Sequence, residues 1–146
     1  MPSILFHWRR ETYEADRDEG WFGYGFRSAS PRLHLAGKGD HVWAFTRNRA
    51  SDYVLAARLL VKSRHRDDTY LRPYHVTGER RSTTYFDVEV GPSVELVIRH
   101  KLGLTVQSAV LGRSFQGNGH IQPITPAGHA ALEAFLRSEG PDRLAI

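Results

Sequence analysis

Apolar positions along the chain fall into short clusters separated by polar and glycine-rich stretches, a spacing that favours strands over long helices. Ile4 to Arg9 is short and apolar and predicts a strand. Tyr13 to Gly20 is acidic and predicts a helical turn, whereas residues 21–38, rich in Gly, Ser, Pro and aromatics, predict irregular chain. Val42 to Thr46 reads as a strand. Tyr53 to Val61 is apolar almost without interruption, as a central strand covered on both faces would be. The polar link Asn48 to Asp52 between them has hairpin length.

Arg64 to Arg72 is charged and predicts a loop. Tyr74-His75-Val76 and Tyr85 to Val88 predict two more strands, separated by Gly78 to Thr83. Pro92, followed by Val94, Leu96, Val97 and Ile98, predicts a short helix that starts at the proline and ends at Gly103. Leu111 to His120, rich in Gly, Ser and Asn, predicts a loop. Thr125-Pro126 caps a last helix with Ala130, Leu132, Phe135 and Leu136 as its buried stripe, and Gly140-Pro141 stops it. The expected fold class is therefore α+β and β-rich: a small, closed or nearly closed β-barrel with peripheral helices. With 146 residues and no internal repeat, one domain over 1–146 is expected.

Composition narrows the chemistry. The chain has no cysteine, which removes disulfide frameworks, zinc knuckles and thiol catalysis and fits a reducing compartment. No apolar run nears the roughly 20 residues of a membrane span, and the opening segment lacks the basic and long apolar regions of a signal peptide. No membrane partner is expected. Charge is uneven. Residues 1–26 carry a net −2 and residues 82–146 a net −1, whereas residues 27–81 carry twelve Lys/Arg against five Asp/Glu, a net +7. The excess is mostly arginine, whose fork suits phosphate oxygens and whose plane stacks on flat rings. A polyanion is the natural partner of such a segment.

Two stretches give that partner more definition. Trp21-Phe22-Gly23-Tyr24-Gly25-Phe26 offers flat apolar faces on a flexible backbone, and alternation places Phe22, Tyr24 and Phe26 on one side. Gly39 to Arg47 reads as a turn feeding a strand with a polar, positive end, where Thr46 and Arg47 could meet a base edge or a phosphate. Trp43 shares a strand face with Phe45 and is a candidate for either core or pocket. Asp87 is a candidate acceptor for a base amino group, although a strand Asp also pairs readily with a neighbouring arginine. The candidate phosphate-facing set is Arg27, Arg32, Arg47, Arg49, Lys62, Arg64, Arg66, Arg80 and Arg81, some of them simply solvated surface. Ser114, Gln116 and Asn118 lie in a donor-rich loop that could enter a groove and fill the space left by an extruded base.

Enzyme signatures fail one by one. Asp87-x-Glu89 lacks the lysine that a restriction-type pair needs, and His120 and His129 have no zinc or nuclease spacing. Neither glycine-rich run carries a P-loop lysine, and Ser114 sits in no nucleophile elbow. The expectation is a protein without catalytic residues, metal or cofactor.

Three segments, taken in order, carry a resemblance. Phe6-His7-Trp8-Arg9 is a strand with a polar end, followed by a helical segment. Gly20-Trp21 stands where modified-base readers carry a Trp-containing segment bordering the base pocket. Gly39-Asp40-x-Val42-Trp43-x-Phe45 is followed by Val54 to Leu59. Over about residues 4–63 the chain resembles the PUA-like superfamily, which includes the EVE, YTH and SRA domains. Ser114-Phe115-Gln116-Gly117 through the last helix looks like actinobacterial 5-methylcytosine-binding domains. One departure is that His7-Trp8-Arg9-Arg10 replaces the Lys-Ser-Glu-Pro typical of EVE.

The resemblance implies a cytoplasmic, nucleoid-associated bacterial reader of double-stranded DNA that flips 5-methylcytosine into an aromatic pocket with Trp21 in its wall. It would act as a standalone sensor or as partner of a separate nuclease in modification-dependent restriction. The alternatives are a YTH-like reader of modified RNA and a small-molecule or protein-interaction barrel.

Overall fold

The computed structural model describes residues 3–20 and 24–144. Its centre is a seven-stranded mixed sheet with a few helices, an α+β arrangement. The strands are β1 (Ser3–His7), β2 (Gly25–Ser28), β3 (His41–Arg47), β4 (Tyr53–Arg66), β5 (Tyr74–Gly78), β6 (Thr84–Tyr85) and β7 (Ile121–Ile124). Their order is β2-β5-β4-β3-β1-β7, with β6 on β4. β1 and β3 run parallel, and the other pairs are antiparallel.

β4 organises the sheet because it is long enough to serve two partners. Tyr53 to Leu60 ladder with β3, and Val61 to Arg66 with β5. Register shifts at Ala44/Phe45 and between Val61 and Ser63 bend it, as bulges do. The predicted loop therefore begins only at Asp67. Arg64 and Arg66 are strand residues whose charged ends reach solvent, so charge alone misplaced that boundary.

Other differences are also local. The first helix, α1, spans Arg10–Asp18 rather than starting at Tyr13. The stretch expected to be irregular contains β2 and a 3-10 turn, Pro31–Leu35. The strand expected over Tyr85 to Val88 shrinks to Thr84–Tyr85, after which Asp87 caps its own turn by accepting from Glu89 N–H. α2 (Glu95–His100) begins after Pro92, not on it. The 111–120 segment holds two 3-10 turns and runs into β7, whose Pro123 is tolerated on an edge strand. α3 (Pro126–Glu139) follows the reading, with Thr125 Oγ1 accepting from Gly128 N–H and Gly140 closing it in a left-handed conformation.

Alternation on β1 and β3 sends side chains to two cores, one on each sheet face. Ile4, Phe6, Trp8, Phe26, Val42 and Ala44 belong to one. Leu5, Trp43, Phe45, Ile98, Leu132 and Phe135 belong to the other, beneath α2 and α3. No ladder joins the end strands β2 and β7 among the described residues. They are bridged instead by side chains: Ser28 Oγ lies 2.9 Å from His120 Nε2, and Arg32 Nε donates to the Ile121 carbonyl at 2.9 Å. No described helix is long and apolar enough to cross a membrane.

Candidate functional site

A cavity of about 640 Å³ opens beside that bridge, where β1 runs into α1. Phe6, Trp8, Tyr53 and Phe115 border it, each no more than 4 % exposed. Arg9, Arg27, Arg72 and Arg113 bring four guanidinium groups, and no carboxylate is among the described lining residues. The volume falls within the usual range for small-molecule sites, about 300–1,000 Å³.

The walls are braced from behind. Phe26 stacks on Phe6 with ring centres 5.4 Å apart and meets Trp8 edge-on at 4.8 Å. Trp8 Nε1 donates to Asp16 Oδ2 at 2.9 Å. The same buried carboxylate receives both ends of the Arg72 guanidinium, at 2.6 and 3.0 Å. One α1 side chain thus fixes an aromatic wall and a cation together. The Arg27 guanidinium lies over Tyr70, with Cζ 3.7 Å from the ring centre.

The 110–120 segment forms the opposing side. Gly112 N–H donates to Tyr53 Oη at 2.9 Å, and a Cβ at Gly112 would stand 2.8 Å from that oxygen and 3.1 Å from His7 Cε1. Glycine is therefore required for this close approach. His120 Nδ1 lies 2.5 Å from the Gly117 carbonyl and must donate to it. In the neutral ring, Nε2 then accepts from Ser28 Oγ, while that oxygen accepts from Ser30 N–H.

His7 stacks on Phe45 at 4.8 Å. Burial pushes its pKa down to about 4, against the opposing effect of a hydrogen bond to the Phe115 backbone. The ring is neutral at pH 7, and its Nδ1 is buried without a partner among the described residues. The cavity thus combines a border of buried aromatic rings, a neutral imidazole and guanidinium groups. That combination suits a planar heterocycle joined to an anion.

Of the residues predicted from sequence, Arg27 and Gln116 line this cavity. Trp21 and Phe22 lie outside the described residues. Phe26 is a buried backing residue rather than a lining one, and Trp43 is fully buried on the other sheet face, its Nε1 donating to His129 Nδ1. Thr46 is buried in β3 away from the cavity, and Asp87 sits in the turn after β6. Arg32 holds the β7 carbonyl, and Arg64 donates to the His34 carbonyl. Arg47 lies over Tyr53, and Arg66 pairs with Asp68. Arg49 and Lys62 are exposed. Ser114 is partly buried in the first 3-10 turn of the 110–120 segment, and Asn118 belongs to the second.

Tyr24, Arg80 and Arg81 instead line a second cavity of about 530 Å³ with Thr83, Thr84, Tyr85, Arg143 and Leu144. Sequence reasoning missed Tyr53, Arg72 and the cavity roles of Phe6, His7 and Trp8. The Phe6-His7-Trp8-Arg9 run marked the last three as a polar-ended strand. Nothing local marks Arg72 as the partner of Asp16, 56 positions away.

Comparison with protein-family models, with curated proteins and with solved structures finds no match to this chain.

Proposed function

We propose that the protein is a non-catalytic reader of modified DNA, binding duplex through its arginines and taking 5-methylcytosine, flipped from the stack, into the cavity beside Trp8. The observation that carries this reading is a cavity bordered by aromatic rings, with the exposed Arg9 and Arg113 beside it and no carboxylate among the described lining residues. Stacking on an aromatic face contributes about 1–3 kcal/mol per base. Extrusion costs a few kcal/mol, so two such faces roughly offset it. Phosphate contacts by the exposed Arg9 and Arg113 supply the surplus. A methyl group seated on an apolar wall adds about 0.8 kcal/mol, or a several-fold preference.

The side-chain bridge between β2 and β7 supports the view that the curled sheet is a PUA-like barrel closed without a ladder on one seam. The protein serves as a nucleoid-associated sensor or as the recognition partner of a separate nuclease.

Fluorescence anisotropy at near-physiological salt tests this, using one duplex with cytosine or 5-methylcytosine at a single site. Tighter binding to the methylated duplex is expected. Equal binding to both, or stronger binding to single-stranded RNA, overturns it.

A further inference from the structure

The connection between β4 and β5, residues 67–73, carries the most exposed large apolar side chain among those described. Leu71 is 99 % exposed. Isolated surface leucines are ordinary, but this one stands on a braced tip. Asp67 N–H donates to the Pro73 carbonyl at 2.9 Å, and Asp67 Oδ1 accepts from both Thr69 N–H and Thr69 Oγ1. Tyr70 N–H closes the turn on the Asp67 carbonyl.

The tip is also tied to the cavity on both sides of Leu71. Tyr70 lies under the Arg27 guanidinium, and Arg72 lines the cavity while held by Asp16. Arg64 and Arg66 flank the neck of the same hairpin. Asp68 is paired with Arg66, and Asp67 is engaged by Thr69, so the tip's two carboxylates are already occupied beside these cations.

We infer that Leu71 is a wedge that enters the duplex and fills the slot vacated by the flipped base. The inference rests on the reading of the cavity as a base pocket. An extruded base leaves a gap bounded by two apolar base faces, and proteins that unstack DNA insert an aliphatic or aromatic side chain there. Leucine on a rigid turn can fill that gap with little ordering cost, since the turn is fixed before binding. The cations at its neck meet the phosphates on either side of the gap. The partner is therefore a DNA base step next to the modified cytosine.

The test uses the full chain and its Leu71→Ala and Leu71→Phe variants. Each is measured on a methylated duplex, on the matching methylated single strand, and on a duplex with 2-aminopurine beside the modified site. Leu71→Ala is expected to bind the intact duplex about tenfold more weakly and to lose the 2-aminopurine signal. It should bind the single strand, which has no stack to fill, like the wild type, and Leu71→Phe should restore duplex binding. Wild-type affinity of Leu71→Ala for the duplex, or equal losses on duplex and single strand, overturns the wedge. If the wild type itself ignores methylation, the pocket reading fails and the wedge falls with it.

Discussion

Arg72 and Asp16 form a two-pronged pair across 56 positions of sequence, with Nη2 2.6 Å from Oδ1 and Nη1 3.0 Å from Oδ2. The carboxylate is 3 % exposed, and it also takes the Trp8 indole proton. Removing it takes this acceptor from a guanidinium and an indole N–H at once. Asp16→Ala should destabilise the fold by roughly 2–4 kcal/mol, less than for a fully buried pair because Arg72 is partly exposed. Urea denaturation measures this directly. A loss below about 0.5 kcal/mol would mean that the pair is incidental.

Tyr53 and Gly112 should fail in complementary ways. Tyr53→Phe removes the acceptor of the Gly112 N–H and should cost about 0.5–1.5 kcal/mol. Gly112→Ala pushes a methyl against Tyr53 Oη and His7, and should cost about 1–3 kcal/mol through overpacking. The double variant should lose less than the sum, because Phe at 53 no longer offers the oxygen that the alanine strikes. Strict additivity in a double-mutant cycle would separate the two positions.

Acid should loosen the protein before its carboxylates titrate. His7, His41 and His75 are each lowered to about 4 from an ordinary 6.5, chiefly by burial, and His129 is lowered in the same direction. Between those values the unfolded chain takes up protons that the folded chain refuses. Stability is therefore full above about pH 6.5 and falls as pH drops toward 4, where the folded histidines also charge. Thermal melts between pH 8 and pH 4 should show a plateau followed by this decline. A level melting temperature between pH 6.5 and pH 4.5 is the outcome that contradicts it.

Salt dependence should report the cavity arginines. Arg9 and Arg113 are exposed and line the cavity from α1's approach and from the 110–120 segment. Arg9→Ala and Arg113→Ala should each reduce the slope of log affinity against log salt by about 1. Preference for the modified base should be unchanged. An unaltered slope in both variants would place the phosphates elsewhere, and the arginines of the second cavity would be examined next.

Periodicity made most of the fold legible. The apolar run at Tyr53 to Val61 marked the central strand because both of its faces are buried, and Thr125-Pro126 with Gly140 bounded α3 through cap chemistry. Short elements escaped. β2 is four residues and β7 contains a proline, so neither carries enough alternation to stand out from its surroundings. Charge misled at Arg64 and Arg66, where a strand continues past the core with its polar ends in water. For the site, sequence located the arginine-rich segment and the glycine-rich loop that supply Arg27 and Gln116. It did not show that Trp43, on β3, packs toward α3 while Trp8, the residue after β1, borders the cavity. Asp16 lies in a segment marked only as acidic; its buried carboxylate is held by Trp8, eight positions away, and by Arg72, 56 positions away.

The bridge between Ser28 and His120, together with that between Arg32 and the Ile121 carbonyl, has a mechanical consequence. A sheet closed by main-chain bonds must lose a whole ladder to part, whereas this edge is fastened like a clasp with two side-chain links. The cavity lies alongside the clasp, with Ser28 and His120 in its lining. Neither link belongs to a strand ladder, so breaking both leaves every described strand pair intact.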